Sequence, residues 1–244
     1  MDINKKKVIV IGANSDIAKP VIDALSKQVI ANETFLISRS VINDTEQNQK
    51  KFVVSNYKED LIEVINNLQL EDSNLSVVNF SGSLILKPLH IMKEDEFIET
   101  LEINLLTNFR ALSKILKINL NTLSYVALSS VAASYGLANH EAISAAKSGL
   151  EGLLRSCASS YGHKGYRFNS ISPSLIDTKL TQRLLKSDSA RDAISKTNPL
   201  KKIGTPDDLS NAILWLLSDK SSFVTGQNIN IDGGLNNINS RIIQ

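Results

Sequence analysis

The sequence lacks the features that define several large classes of protein. Cys157 is its single cysteine, which excludes a disulfide framework and a cysteine metal cluster. No apolar run approaches the length of a bilayer span, and a formal net charge of +2 gives no electrostatic case for nucleic acid. The basic N-terminus leads into a short apolar segment and not into a signal sequence. We therefore expect a cytoplasmic protein that binds neither membrane nor nucleic acid, and we expect no metal site.

Short apolar segments alternate with longer amphipathic ones along most of the chain. The former predict strands at Val8–Ile11, Thr34–Ile37, Lys51–Val54, Val77–Phe80, Ser124–Leu128, Arg167–Ile171 and Gln227–Ile231. The latter predict helices at Ile17–Lys27, Glu59–Leu70, Asp95–Leu116, Glu141–Tyr161 and Pro206–Leu217. Strand followed by helix, repeated, predicts an α/β fold: a single domain with a doubly wound parallel sheet of the Rossmann type.

A polar stretch at residues 178–204 interrupts this alternation late in the chain. Ligands of open parallel sheets bind beyond the carboxyl ends of the strands. An insertion that follows a strand at that edge predicts a lid over a small-molecule substrate. No motif within the stretch identifies that substrate.

The first predicted strand runs into a helix through a turn that begins at Gly12. Free backbone N–H groups and the positive end of the helix dipole favour a diphosphate at such a turn. We predict dinucleotide contacts from five residues of the turn: Gly12, Asn14, Ser15, Asp16 and Ile17. A plain strand-to-helix turn is the alternative, because Gly12 is the only glycine there.

Four further segments lead to a known family. Asn79-Phe80-Ser81-Gly82 is similar to an NNAG motif, Leu128-Ser129-Ser130 resembles a strand end with a catalytic serine, and Thr225-Gly226-Gln227 and Asp232-Gly233-Gly234 follow the same pattern. With the Gly12 turn, they resemble the short-chain dehydrogenase/reductase family, especially its acyl-carrier-protein reductase-like members. The resemblance implies a nicotinamide-dependent oxidoreductase that acts on a carbonyl/alcohol pair and forms homodimers or homotetramers.

The same resemblance implies roles for individual residues. Asn104, Ser130 and Lys147 match catalytic positions of the family. Further cofactor contacts are implied for Asn56, Asn79, Ser81, Gly82, Lys147, Pro173, Ser174, Ile176 and Thr178. Asn56 stands where the family usually has an aspartate near the adenine, and its amide oxygen can still accept a hydrogen bond there.

Arg39 bears on which nicotinamide dinucleotide is bound. An acid at the end of the second strand binds the ribose 2′-hydroxyl in Rossmann folds, whereas an arginine nearby accommodates a 2′-phosphate. Here Ser38 and Arg39 end the strand, and no acid is present. A guanidinium can bind a phosphate through two hydrogen bonds. We therefore predict NADP(H) in preference to NAD(H), with a solvated surface arginine as the alternative.

The resemblance places Ile143 where the family has its proton-donating tyrosine, four residues before Lys147. An isoleucine has no proton to give. One interpretation is that another group supplies it, and His140 is the candidate because histidine titrates near neutrality. Glu141 would need a pKa raised by burial, and Tyr135 lies on a loop instead of the helix.

Two other interpretations stay open. The chain could bind NADP(H) with little or no turnover, as a regulator or an inactive partner subunit. Alternatively, water held between Ser130 and Lys147 could relay the proton. A serine hydrolase is set aside, because no GxSxG sequence surrounds Ser130.

Overall fold

The computed structural model describes residues 6–27, 31–42 and 48–238, and it confirms the predicted strands. The strands are β1 Lys6–Ile11, β2 Ala31–Ser38, β3 Gln49–Val53, β4 Asn74–Asn79, β5 Thr122–Leu128, β6 Tyr166–Pro173 and β7 Asn228–Ile231. They form one sheet in the order β3-β2-β1-β4-β5-β6-β7. Every neighbouring pair is parallel, as the strand–helix alternation predicts.

Helices cover both faces of this sheet. They are α1 Ala18–Lys27, α2 Asp60–Asn67, α3 Glu94–Leu101, α4 Thr107–Ile115, α5 Glu141–Tyr161, α6 Asp188–Ser195 and α7 Pro206–Leu217. Along β1, Ile9 and Ile11 join one apolar core, while Val8 and Val10 join the other. Successive side chains of a strand point to opposite faces, so a continuously apolar strand is buried on both sides.

The prediction of one regular helix at Asp95–Leu116 is wrong. A π-helical segment, Glu102–Leu106, separates α3 from α4. At its end, both the backbone N–H and the side chain of Thr107 donate to the carbonyl of Glu102, five residues earlier. This wider turn keeps the chain helical, so the apolar periodicity of the sequence does not reveal it.

Residues 178–204 form a loop whose two ends meet. The loop contains one 3-10 turn, Gln182–Leu184, and the helix α6. At its base, Ile176 pairs with Gly204, and the N–H of Asp177 donates to the carbonyl of Gly204 at 2.9 Å. Arg191 forms an ion pair with Asp177 across the loop. These contacts make the segment an ordered insertion on the sheet's carboxyl edge.

Among the described residues, no helix is both long and apolar enough to cross a bilayer.

Candidate functional site

A cavity of about 1060 Å³ opens at the carboxyl ends of five strands. It spans β1 and β4, the neighbours at which the winding of the chain reverses direction. Ligands bind at this switch point in doubly wound folds. The 178–204 segment supplies one wall, through Lys179, Leu180, Thr181, Leu184, Ile194, Thr197, Asn198, Lys202 and Ile203.

The Gly12 turn forms the floor of the cavity below α1. Gly12 has a φ of +78°, and a Cβ atom there would lie 2.8 Å from the backbone nitrogen of Ser81. Only glycine fits both constraints. The backbone N–H groups of Asn14 and Asp16 have no acceptor among the described residues, and both residues line the cavity. Such a floor suits a diphosphate.

The carboxylate of Asp16 joins this turn to the 178–204 segment. Its Oδ2 accepts a hydrogen bond from the backbone nitrogen of Lys179 at 2.6 Å. Its Oδ1 lies 3.8 Å from the Lys179 ammonium nitrogen. The sequence places Asp16 in the turn but does not reveal this partner, which is distant along the chain.

Arg39 lies at the cavity wall above the ring of Tyr57, with its guanidinium carbon 5.6 Å from the ring centroid. Arg39 is exposed and forms no ion pair with a carboxylate in the part of the chain that is described. Burial raises the pKa of the Tyr57 hydroxyl, and the nearby guanidinium partly offsets that rise. The Asn14 amide donates to the Ser40 carbonyl at 2.8 Å and fixes the adjacent loop. Tyr57 was not predicted.

Two predicted cofactor contacts do not reach the cavity wall. The Asn56 side-chain oxygen accepts hydrogen bonds from the backbone nitrogens of Lys58 at 2.8 Å and Glu59 at 2.9 Å, so it caps the turn that precedes α2. The Asn79 oxygen accepts from the nitrogen and hydroxyl of Ser81, at 2.8 and 2.6 Å. Both amides bind groups of neighbouring residues, and a direct contact of either side chain with a cofactor stays a prediction.

The other predicted cofactor contacts do line the cavity, and they come from four separate strand ends and from α5. They are Gly12, Asn14, Ser15, Asp16, Ile17, Arg39, Ser81, Gly82, Lys147, Pro173, Ser174, Ile176 and Thr178. The cavity therefore fits a dinucleotide by its position, by its free N–H groups and by an available guanidinium.

Lys147 and Ser130 both line the cavity. The Lys147 ammonium nitrogen donates to the carbonyl of Leu128 at 2.7 Å, two residues before Ser130. Lys147 is only 4% exposed, and burial lowers the pKa of its amine to about 7. The Ser130 hydroxyl accepts from the backbone nitrogen of Ala132 at 3.2 Å, which leaves its proton free to be donated. Ile143 is also buried and lines the same wall.

Asn104 lies within the π-helical segment and is fully buried. Its amide nitrogen donates to the Thr100 carbonyl at 3.0 Å and to the Ser83 hydroxyl at 3.1 Å. The side chain thus ties the irregular turn to the chain after β4. π-Helical turns occur frequently at functional sites because they redirect side chains.

A buried carboxylate supports the strand ends beneath Ser130. Glu151 Oε1 accepts hydrogen bonds from the hydroxyls of Ser129, at 2.7 Å, and Ser172, at 3.2 Å. The Ser172 hydroxyl also lies 3.2 Å from the carbonyl oxygen of Ser130. The ends of β5 and β6 are therefore joined through one side chain of α5. Sequence reasoning missed Glu151, since its partners come from two other elements.

The alternative proton donors differ in position. His140 lines the cavity at the start of α5, and its Nδ1 lies 2.7 Å from the carbonyl oxygen of Ala138. Tyr135 also lines the cavity, on the loop after β5. Glu141 is exposed and outside the wall. Among the described residues, no cluster of histidine, cysteine and acidic side chains could hold a metal ion.

Comparison with known proteins gives consistent matches over most of the chain. A family model described as Enoyl-(Acyl carrier protein) reductase matches residues 59–236. The 3-oxoacyl-(acyl-carrier-protein) reductase FabG of Buchnera aphidicola subsp. Schizaphis graminum is 30% identical over 243 residues, covering 96% of this chain and 99% of that protein.

Solved structures match in fold. A short chain dehydrogenase family protein from Francisella tularensis superposes with a TM-score of 0.86 at 23% identity, covering 94% of this chain and 98% of its own. ElxO with NADP bound superposes with a TM-score of 0.82 at 22% identity, covering 95% and 98%.

Proposed function

The chain belongs to the short-chain dehydrogenase/reductase family, and we propose that it is an NADP(H)-dependent oxidoreductase that interconverts a carbonyl and an alcohol without a tyrosine proton donor. One observation carries the proposal. A single cavity brings together the Gly12 turn, Arg39 and the Ser130–Lys147 pair. The first two suit a phosphorylated dinucleotide, and the last suits a reacting oxygen.

Different residues of the cavity bind the cofactor and the reacting oxygen. A bound nicotinamide supplies or accepts the hydride. The free N–H groups of Asn14 and Asp16 hold the diphosphate. The Ser130 hydroxyl donates a hydrogen bond to the substrate oxygen, because its own oxygen already accepts from Ala132. The buried Lys147 ammonium places a positive charge beside the same oxygen.

The preference for NADP(H) rests on Arg39. Its guanidinium is exposed, stacks on Tyr57 and stays available for an anion. The related fold of ElxO holds NADP. A 2′-phosphate would bind there through charge-assisted hydrogen bonds.

A second candidate function is NADP(H) binding without turnover. Ile143 favours it, because this buried side chain occupies the tyrosine position of the family and carries no proton. Lys147 could then serve the nicotinamide ribose alone. The cavity would remain a cofactor site, and the protein would act as a regulator or partner subunit.

Turnover decides between the two functions. NADPH oxidation is followed with the wild-type protein over a panel of ketones and aldehydes, alongside Ile143→Tyr. The proposal expects measurable wild-type turnover that depends on a carbonyl substrate. If the wild type is inactive and Ile143→Tyr gains activity, the binding function is correct.

We also propose a homodimer or homotetramer. On the apolar faces of α4 and α5, Leu112, Ile115 and Leu150 are buried within the protomer. Ile98 and Phe109, each 51% exposed, provide apolar surface on α3 and α4 instead. Sedimentation that shows only a monomer at micromolar concentration contradicts this assembly.

A further inference from the structure

The amine of Lys147 has an unusual environment for a charged group. It is buried, and the Leu128 carbonyl is its hydrogen-bond acceptor. Ile143 lies one helical turn earlier on the same face of α5 and is likewise buried. A buried aliphatic side chain therefore fills the position at which the family has a phenol.

The position of the amine relative to Ser130 is equally informative. Its acceptor, Leu128, ends β5, and Ser130 follows two residues later. His140 precedes Lys147 by seven residues, which corresponds to about 10 Å along the helix axis. Of these two side chains, Lys147 is the one hydrogen-bonded to β5, the strand that ends two residues before Ser130.

We propose, resting on the oxidoreductase function above, that Lys147 itself donates the proton to the substrate oxygen in place of the absent tyrosine. In reduction, the carbonyl carbon gains the hydride and the π electron pair moves onto oxygen. One Nζ–H bond of Lys147 breaks and an O–H bond forms. The neutral amine then takes a proton from solvent, and alcohol oxidation runs through the reverse transfer.

The acidity of the amine suits this role. Burial lowers the pKa of Lys147 to about 7, and no charged neighbour contributes to that shift. An acid with a pKa near the working pH transfers protons most effectively. In the family arrangement a lysine lowers the pKa of a phenol, whereas here burial lowers the pKa of the lysine itself.

Few ionisable groups face the amine. His140 and Tyr135 line the same cavity, and Glu151 accepts from Ser129 and Ser172. Other charged groups of the cavity wall have partners of their own: Asp16 with Lys179, Lys202 with Asp208, and Arg39 with the Tyr57 ring. Charged groups on the elements around α5 also have partners. Glu96 forms an ion pair with Lys87, and Glu102 forms one with Arg110. Arg167 donates hydrogen bonds to the carbonyls of Leu216 and Ser218.

The first test is direct titration of the amine by NMR of lysine side chains. Lys147→Arg identifies the signal, and Lys196→Arg, which removes an amine that is exposed, is the matched control. The expected signal titrates near neutral pH, about three units below that of an exposed lysine. A Lys147 amine that titrates like an exposed one overturns the proposal.

The second test concerns the proton itself. Lys147→Arg keeps a positive charge for the ribose but has no acidic proton at this pH, so kcat should fall about 10²–10⁴-fold with little change in NADPH affinity. Lys147→Ala should regain activity with added alkylamines, at rates that depend on the pKa of each amine. A merely structural lysine gives no such dependence.

The outcomes separate this inference from the proposed function. Turnover that persists in Lys147→Arg overturns the role of Lys147 as donor and leaves the proposed function standing. The same holds if turnover is lost in His140→Ala while Lys147→Arg stays active. A wild-type protein that reduces no carbonyl compound overturns both the function and the donor.

Discussion

Ile143 and Lys147 are one turn apart on α5, and both side chains are buried in the wall of the same cavity. A lysine in this position destabilises the folded protein when it carries a charge. The unfolded chain keeps the Lys147 proton up to a pH of about 10.4, whereas the folded chain releases it at a pKa of about 7. Between those values the unfolded state binds more protons, so the free energy of unfolding rises with pH.

Replacing Lys147 should therefore change stability in a pH-dependent way. Lys147→Met should be more stable than the wild type at pH 6, by a few kcal/mol at about 1.4 kcal/mol per unit of pKa shift. At pH 10 the gain should be gone, and Lys147→Met should be about 1 kcal/mol less stable than the wild type, because the Leu128 carbonyl loses its hydrogen-bond donor. Urea denaturation at both pH values measures this. Lys196→Met is the exposed control, and a gain that is the same at both pH values contradicts the burial argument.

Arg39 should discriminate between the two nicotinamide dinucleotides. Arg39→Ala should weaken NADPH binding about 10- to 100-fold, the loss expected for charge-assisted hydrogen bonds of about 1.5–3 kcal/mol. NADH binding should change much less. Fluorescence titration with both dinucleotides measures the difference, and Arg155→Ala on α5 removes a comparable exposed charge. Equal losses for NADPH and NADH would refute the phosphate assignment.

Asp16 places a negative charge at the turn that would hold the diphosphate. Asp16→Asn keeps an oxygen that can accept from the Lys179 nitrogen but removes that charge. NADPH should then bind about three- to tenfold more tightly at low ionic strength, and salt should reduce the difference. Calorimetric titration at two salt concentrations tests this, with the exposed Asp23→Asn on α1 as the control. Weaker binding by Asp16→Asn would show that the carboxylate assists the cofactor.

Gly12 should tolerate no side chain. Gly12→Ala combines a left-handed backbone with a Cβ atom 2.8 Å from the Ser81 nitrogen, so it should lose at least about 2 kcal/mol of stability. NADPH affinity should fall as well, because the turn must shift. Gly162→Ala has open space around the added atom and should be nearly neutral. Thermal unfolding with and without NADPH compares the two variants, and similar melting temperatures would contradict the steric argument.

The strands and most helices could be predicted because they follow from local patterns. Buried parallel strands are apolar throughout, and the Thr205–Asp208 start of α7 carries its own capping residues. The π-helical segment could not be predicted, since one extra residue in a turn leaves the apolar spacing almost unchanged.

The site was predicted where the backbone alone defines it and missed where distant contacts do. The Gly12 turn and Arg39 follow directly from strand ends. Tyr57, the burial of Lys147 and the Glu151 carboxylate depend on side chains that meet only in the folded chain. Family spacing also placed Asn56 and Asn79 at the cofactor, although their amides satisfy nearby backbone groups.

The π-helical segment Glu102–Leu106 holds the buried Asn104 between α3 and α4. Each residue of a regular α-helix turns the chain by about 100°, and the wider π-helical turn takes up one residue more than an α-helical turn. Loss of a single residue from the segment would restore a regular helix and leave α4 intact. It would nevertheless remove the wider turn from which Asn104 reaches Ser83. In this stretch of the chain, the number of residues matters as much as their identity.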